Sequence, residues 1–371
     1  MAKEEFKVTP WEVSGRIDYE RLIKKFGINP IGELPDKFND NILFRRKIIF
    51  AHRDFGNILD AVKKNKKFVM MTGLMPTGKF HLGHMLLTQQ MLFYQELGAK
   101  LYIAVADLEA YNARYKSLSE LRKTALEQYL QNYIALGLNP KNVDFYFQSE
   151  RSRDAKKSNA YYRLASNFSR HATFNEFKAV YGEISPGKMT ASLIQASDMF
   201  HVQLPEFEGS IPVIVPVGVD QDPHLRLARD ISKRYKDNKF QQLSSTYHMF
   251  MPGLKSGKMS SSDETSYIAI TDSPKEVETK IRSYAFSGGR DTLDEHRKHG
   301  GNPDVDISFQ YLRFFFEPND KKLKQLYEEY KSGKLLTSEL KNYTIDKINV
   351  FLKKHQANMK KAERQVSKFL K

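Results

Sequence analysis

The sequence contains no cysteine among its 371 residues. Disulfide bonds, cysteine-bound zinc or iron–sulfur clusters and thiol nucleophiles are therefore excluded, and redox chemistry is not expected. Long apolar segments are missing too. No run reaches the roughly eighteen apolar residues that a membrane helix needs, and the N-terminal MAKEEFKVTP lacks the apolar core of a signal peptide. These absences predict a soluble, intracellular protein of the cytoplasm with no membrane partner.

Glycine and proline are few, with 20 and 14 residues, so collagen-like and Pro/Gly-rich disordered chains are excluded as well. Apolar residues make up 40% of the chain and aromatic residues 12%, which is enough to fill hydrophobic cores. At ~150 residues per domain, the length predicts about two and a half domains.

Basic residues are in excess: 59 Lys and Arg against 44 Asp and Glu leave a net charge of +15. A surplus of this size favours a polyanionic partner, with nucleic acid as the leading candidate. A Lys/Glu-rich surface of a heat-adapted protein is the alternative, and composition does not choose between them.

Short apolar runs alternate with helical patterns between residues 68 and 250, which predicts an α/β fold with a doubly wound parallel sheet of the Rossmann type. In such a sheet the ligand binds at the carboxyl ends of the strands. The predicted strands are Phe68–Met71, Leu101–Ala106, Val143–Phe147 and Ile211–Val219. The predicted helices among them include Met85–Leu97, Ser117–Leu136 and Tyr161–Phe168.

The chain is predicted to fall into three segments. Residues 1–67 form an N-terminal appendage, residues 68–272 form the Rossmann domain, and residues 273–371 show helical periodicity without strand alternation. The last segment is rich in lysine towards its end, which by itself is more often a solvated helix face than a binding surface.

The loop after the first predicted strand runs from Thr72 to a His81-Leu-Gly83-His84 motif at the start of a helix. A helix N-terminus offers free amide donors and positive potential, two imidazoles can donate to phosphate oxygens, and Gly83 lets a flat base approach the backbone. With 10 His and 20 Gly in the chain, His-x-Gly-His is expected by chance only about 0.015 times. The motif predicts a nucleotide phosphate site.

A second motif, Lys258-Met-Ser-Ser-Ser262, lies on a Gly- and Ser-rich loop beyond the last strand-like segment. A mobile lysine followed by hydroxyl groups is suited to charge that develops on a triphosphate during cleavage. Alone, such a turn is usually a surface loop. Together, the two motifs resemble the paired signature of class I aminoacyl-tRNA synthetases.

Further stretches make the chain similar to the tryptophanyl-tRNA synthetases of the archaeal and eukaryotic branch. The most diagnostic is Gly218-Val-Asp-Gln-Asp-Pro-His-Leu-Arg-Leu-Ala-Arg-Asp230, since the tyrosine enzymes carry another pattern there. The other matching stretches are Thr9-Pro-Trp-Glu, Ile17-Asp-Tyr, Phe50-Ala-His-Arg-Asp, His171-Ala-Thr-Phe-Asn and Ala285-Phe-Ser-Gly-Gly-Arg-Asp-Thr.

The resemblance implies activation of L-tryptophan by ATP and transfer to tRNA(Trp), by a homodimer, with Mg²⁺ on the ATP phosphates and no metal held by the protein. It also implies an N-terminal appendage that closes over ATP and a C-terminal anticodon-binding domain. Catalysis is carried over to His81, His84, Lys258, Ser260 and Ser261. ATP binding is carried over to Thr72, Gly73, His81, Gly83, His84, Lys258, Met259 and Ser260.

The tryptophan pocket is carried over to Met71, Glu109, Gln195, Asp198 and Gln221, with Glu109 on the α-amino group. Animal enzymes of this branch hold the indole nitrogen with a tyrosine and a glutamine, at positions that are Met71 and Ala104 here. Neither of these can accept a hydrogen bond from the indole N–H. Asp198 aligns with the aspartate that does so in bacterial tryptophanyl enzymes, and we therefore expect it to accept the indole N–H.

Two peripheral segments carry further expectations. Arg290 and Asp291 match the segment that reads the anticodon in the family, although an Asp before Thr is also a common helix cap. The only tryptophan, Trp11, lies where the family has a β-hairpin over ATP, and a partly buried aromatic that holds the appendage down is an equally good interpretation.

Two alternatives stay open from the sequence. Asp198 also aligns with the aspartate that binds the phenol hydroxyl in tyrosyl-tRNA synthetases, although these enzymes carry a tyrosine where this chain has Met71. A non-catalytic RNA-binding relative would keep the fold and the charge. The intact His81, His84 and Lys258 argue against it, since such a relative has no need of both phosphate-binding loops.

Overall fold

The computed structural model describes residues 7–8, 13–14, 18–114, 116–257, 259 and 263–370. The strands are β1 (Lys7–Val8), β2 (Val13–Ser14), β3 (Asn29–Pro30), β4 (Ile49–Arg53), β5 (Val69–Leu74), β6 (Lys100–Val105), β7 (Val143–Phe147), β8 (Val213–Ile214), β9 (Val217–Gly218) and β10 (Ser245–His248).

The helices follow the same order along the chain. They are α1 (Tyr19–Phe26), α2 (Asp36–Asn39), α3 (Ile42–Arg45), α4 (Gly56–Lys63), α5 (Met85–Glu96), α6 (Asp107–Arg114), α7 (Leu118–Thr124), α8 (Gln131–Leu136), α9 (Ala155–Phe168), α10 (Phe174–Tyr181), α11 (Pro186–Phe200), α12 (Asp222–Arg234), α13 (Pro274–Tyr284), α14 (Leu293–His299), α15 (Ile307–Tyr311), α16 (Asp320–Lys331) and α17 (Thr337–Glu363). π-helical segments link α7 to α8 (Ala125–Leu130) and extend α15 (Leu312–Phe316).

The central sheet is parallel in the order β7-β6-β5-β8. A bridge between Ile214 and Ser244 joins it to a second sheet with the order β3-β4-β10-β9. In this sheet β4 is antiparallel to both β3 and β10, and β9 is parallel to β10. The strand order reverses between β5 and β8. Because ligands of doubly wound sheets bind where the order reverses, this topology puts the expected site at the carboxyl ends of β5, β8 and β9.

The strands are apolar without alternation because helices cover both faces of the sheet. Met70, Leu101 and Ile103 face one core, and Met71 and Tyr102 face the other, as the period of two requires. The predicted run Ile211–Val219 divides into β8 and β9. Pro216 lies between them and has no N–H to donate to a neighbouring strand. The predicted α/β architecture with C-terminal helices is confirmed.

The C-terminal helices pack directly on the sheet domain. Helix α17 lies against α8, where His355 Nε2 and Asn132 Oδ1 are 2.8 Å apart. At the other end of the chain β4 pairs inside the mixed sheet, and Phe38 contacts Phe93 of α5 edge to face. One hydrophobic core thus runs across residues 67/68 and 272/273, and the three-segment division stays a prediction. Within the described ranges no helix is long and apolar enough to cross a membrane.

Candidate functional site

A cavity of about 600 Å³ opens at the carboxyl ends of β5, β6 and β9. Its volume is within the usual range for a small-molecule site. The structure brings the sequence-predicted residues of the sheet domain together around it. Those lining it are Met71, Thr72, Gly73, His81, Gly83, His84, Glu109, Gln195, Asp198, Gln221 and Met259, together with Ala104.

The histidine motif forms a single turn of 3₁₀-helix, Leu82–His84, that leads into α5. The Gly83 N–H donates to His81 Nδ1 at 3.2 Å, and the His81 N–H donates to His84 Nδ1 at 3.1 Å. The two ring centroids are 3.8 Å apart. The backbone of the turn therefore fixes both imidazoles at the N-terminus of α5.

Both histidines are neutral at physiological pH. Burial, aided by His84, lowers the pKa of His81 to about 2, and burial lowers the pKa of His84 to about 4. Because each Nδ1 accepts a backbone N–H, the proton of each neutral ring is on Nε2. The turn thus presents two uncharged N–H donors beside the amide donors of a helix N-terminus, which suits a phosphate chain.

Met259 connects the second motif to this turn. A Cβ on Gly83 would lie 3.1 Å from Met259 Sδ and 3.0 Å from the His81 ring, so any larger residue there would have to displace these side chains. Backbone hydrogen bonds from Leu82 to Ile268 and from Ile270 to Phe80 hold the chain that follows the second motif against the turn. Lys258, Ser260 and Ser261 lie outside the described residues.

Glu109, near the start of α6, lines the cavity together with Gln195 and Gln221. Burial and the charge of Asp198 raise the pKa of Glu109 to about 7. The Gln221 amide donates to Asp220 Oδ2 at 3.0 Å, which directs its oxygen away from Asp220. A carboxylate and two amide oxygens are the acceptors that an ammonium group needs.

Asp198 also lines the cavity and is buried, with 3% of its surface exposed. Its Oδ1 accepts from the Tyr146 and Tyr161 hydroxyls and its Oδ2 from the Gln148 amide, each at 2.7 Å. Burial raises its pKa to about 6 against the opposing effect of these donors and of Arg151. Spacing of three residues on α11 places Gln195 and Asp198 on the same helix face.

Small residues of the sheet line a further part of the cavity. In the sheet register Gly73 pairs with Ala104 and Ala104 with Tyr146, so these positions and Met71 lie on one face. Met71 and Met199 line the cavity with flexible apolar side chains. We call this part of the cavity, which is lined by Met71, Gly73, Ala104 and Met199, the apolar slot.

The matches with known proteins decide the family. The family model described as tRNA synthetases class I (W and Y) matches residues 63–353. The tryptophan–tRNA ligase of Aeropyrum pernix is 42% identical over 363 residues, with 96% of each chain covered, and that of Methanocaldococcus jannaschii is 41% identical over 370 residues, with 98% of each covered. The chain belongs to the tryptophanyl-tRNA synthetases.

Solved structures of the family agree over nearly the whole chain. The crystal structure of tryptophanyl-tRNA synthetase from A. pernix matches with a TM-score of 0.89 at 41% identity, covering 95% of this chain and 96% of that one. The enzyme of Plasmodium falciparum matches with a TM-score of 0.84 at 31% identity, covering 96% and 95%. The fold, including the C-terminal helices, is that of the family.

Several residues of the site were not identified from the sequence. Gln148 follows β7 directly, so the rule that ligands bind at the carboxyl ends of parallel strands could have identified it. Tyr161 lies in the middle of α9, and only the fold brings its hydroxyl to Asp198. Asp220 and His224 lie close to Gln221 in sequence, and the fold places both on the cavity wall. No local pattern marks Tyr161 as different from a core tyrosine.

Arg290 and Asp291 do not line the cavity; they are exposed on the loop that precedes α14. The Gly288 N–H donates to Asp306 Oδ2 at 2.9 Å, and the Arg290 Nε donates to the Gly300 carbonyl at 3.1 Å. A Cβ at Gly288 would be 2.0 Å from the Asn302 carbonyl oxygen, so this position requires glycine. The loop is thus a fixed surface element, separate from the cavity.

Proposed function

We propose that this protein is a tryptophan–tRNA ligase. An α-carboxylate oxygen of L-tryptophan attacks the α-phosphorus of ATP. The bond from the α-phosphorus to the oxygen that bridges to the β-phosphorus breaks, and pyrophosphate leaves. A hydroxyl of the terminal ribose of tRNA(Trp) then attacks the carbonyl carbon of the adenylate, and AMP leaves. The observation that supports this best is one cavity lined by the histidine turn, by Glu109 with two glutamines, and by the apolar slot.

Catalysis of the first step needs no covalent intermediate, so it consists of positioning and charge stabilisation. We propose that His81 and His84 donate to ATP phosphates through Nε2, while Thr72, Gly73 and Gly83 leave room for the nucleotide. Lys258, Met259, Ser260 and Ser261 complete the ATP side, with the lysine on the departing pyrophosphate. Mg²⁺ is proposed to arrive on the phosphates of ATP.

Tryptophan is proposed to lie along the slot. Glu109 pairs with its ammonium group, and Gln195 and Gln221 add amide oxygens to the same end. Met71 packs against the ring, and Asp198 organises the end that receives the indole nitrogen. The two ends differ in chemistry, so only one orientation of the amino acid satisfies both.

The tRNA is proposed to contact the basic surface that the +15 charge creates. Arg290 and Asp291 read the anticodon from the C-terminal helical segment of residues 273–371, and residues 1–67 close over ATP. A homodimer and a cytoplasmic location also stay proposals. Light scattering of the purified protein measures the mass that tests the first of them.

The experiment that tests the function is ATP–pyrophosphate exchange with each of the twenty amino acids. Exchange is expected with tryptophan, and tyrosine is expected to be at least ~100-fold poorer in kcat/KM, because a misplaced hydrogen-bonding group in a closed pocket costs ~3 kcal/mol. Equal or better exchange with tyrosine would make the tyrosyl alternative correct. Absence of exchange with every amino acid would instead support the non-catalytic relative.

A further inference from the structure

Gln148 holds an unused acceptor at the buried end of the cavity. Its side chain lines the cavity, the residue is 1% exposed, and Oε1 has no hydrogen-bond partner among the described residues. A buried amide oxygen without a partner loses the hydrogen bonds that water gave it in the unfolded chain. A ligand that donates a hydrogen bond to this oxygen restores what was lost.

The orientation of the Gln148 amide is determined by its neighbour. The Nε2 group lies 2.7 Å from Asp198 Oδ2, and an ionised carboxylate accepts hydrogen bonds but cannot donate. The amide nitrogen must therefore face Asp198, and the oxygen must face the other way. With a pKa of about 6, Asp198 is ionised at physiological pH.

Asp198 itself is already engaged on both oxygens. Its Oδ1 accepts from two tyrosine hydroxyls, Tyr146 and Tyr161, and its Oδ2 accepts from Gln148. Burial and the Asp198 charge raise the pKa of both tyrosines well above their ordinary value, so both hydroxyls stay protonated donors. Three donors from the protein make the carboxylate a structural anchor.

Resting on the proposed function, we propose that Gln148 Oε1 accepts the indole N–H of tryptophan and that Asp198 is a positioning residue. Asp198 acts through Gln148 by fixing which end of the amide faces the cavity. The slot explains why this is possible here: Ala104, on the adjacent strand, has no polar atom that could compete for the ring nitrogen. The expected direct contact from Asp198 to the indole is replaced by a contact from the neighbouring amide.

The test compares tryptophan with its sulfur analogue, 3-benzothienylalanine, which has the same shape but no N–H. In Gln148→Met, which keeps the volume and removes the acceptor, the Kd of tryptophan measured by calorimetry should rise about 10- to 100-fold. The Kd of the sulfur analogue should change by less than ~3-fold, so the preference for tryptophan collapses. Gln148→Glu, whose protonated carboxyl can donate to Asp198 and keep an oxygen towards the ring, should restore most of the preference.

Tyr162→Phe is the matched control. The Tyr162 hydroxyl donates to the backbone carbonyl of Gln148 at 2.7 Å, so this variant perturbs the same segment without touching the amide. It should keep the preference for tryptophan within ~3-fold of wild type.

The proposal is overturned if Gln148→Met still prefers tryptophan over the sulfur analogue as strongly as wild type does. Asp198 would then be the direct acceptor. If Gln148→Met does not fold, a crystal structure of the wild-type complex with tryptophan decides. The proposal requires Gln148 Oε1 within ~3.2 Å of the indole nitrogen, and an Asp198 oxygen at that position contradicts it. Wild-type protein that binds no tryptophan at all would refute the proposed function instead.

Discussion

Protonation of Glu109 is expected to control tryptophan binding near neutral pH. Its carboxyl is partly buried, and burial together with Asp198 raises its pKa to about 7 in the free protein. Only the ionised carboxylate can pair with the substrate ammonium, because the protonated form loses the charge and places a proton between the two groups. Tryptophan should therefore bind less tightly as the pH falls below 7.

The magnitude follows from the ionised fraction. With a pKa of about 7, this fraction is about one half at pH 7 and about one tenth at pH 6, so the Kd should rise about fivefold over that unit. Below pH 6 the Kd should rise further, and Asp198, with a pKa of about 6, titrates in that range as well. The histidines of the turn, with pKa values of about 2 and 4, contribute nothing in this range.

The assay is calorimetric titration of tryptophan from about pH 5.5 to pH 8.5, with wild type and Glu109→Gln. The variant should bind tryptophan more weakly at pH 8 and lose the pH dependence near 7. Indole-3-propionate, which lacks the ammonium group, is the control ligand, and acid should not weaken its binding to wild type through Glu109. A flat Kd of tryptophan between pH 6 and pH 8 in wild type would refute the reasoning.

The raised pKa of Glu109 also predicts an effect on folding stability. Acid should stabilise the folded protein through Glu109, whereas it should weaken tryptophan binding. The folded-state pKa of about 7 is above the ordinary value of 4.5, so the folded state favours the protonated carboxyl. The stability that this proton contributes is present below pH 4.5 and is lost as the pH rises through 7. Glu109→Gln should therefore raise the free energy of unfolding by ~2–3 kcal/mol at pH 8, with the partial exposure allowed for, and change it little at pH 4.

Three further predictions concern other parts of the molecule. Lys258→Ala should lower kcat of adenylate formation ~10²–10³-fold with little effect on KM for ATP, whereas the control Lys255→Ala should leave kcat unchanged. A near wild-type single-turnover rate in Lys258→Ala would contradict this prediction. Asp291→Ala should cost ~1–3 kcal/mol in aminoacylation and spare pyrophosphate exchange, and additivity within ~0.5 kcal/mol with cytosine-to-uracil anticodon changes would mean that Asp291 reads neither base. Arg46→Ala removes hydrogen bonds to the backbone around residues 313–317 and should lower the free energy of unfolding in urea by ~2–3 kcal/mol. The Arg45 side chain is 36% exposed, so Arg45→Ala should cost less than ~1 kcal/mol, and equal losses in the two variants would refute the distinction.

Features that depend on neighbouring residues were predictable. The strand β7 was predicted at its observed bounds, Val143–Phe147, and α5 to within one residue, because apolar runs and helical periodicity act over a few positions. The histidine turn is contiguous in sequence, so its place before α5 followed from the motif alone.

Features that depend on distant residues were not predictable. Strand β4 pairs with β10, almost two hundred positions later in the chain, and no local signal indicates this partner. Asp198, at which the indole contact was predicted, lines the cavity, and its contact with the indole stays a prediction. However, the sequence held no sign that Tyr146, Gln148 and Tyr161 all donate to it.

The sequence by itself thus determined the class of fold, the place of the histidine turn and the family, because periodicity and contiguous motifs are encoded between near neighbours. Tertiary structure alone decided the pKa of Glu109, the neutral tautomers of His81 and His84, and the direction of the Gln148 amide. Each of these depends on burial and on hydrogen-bond partners that other segments bring in. Electrostatic energies of this kind exist only after the chain has excluded water from the site.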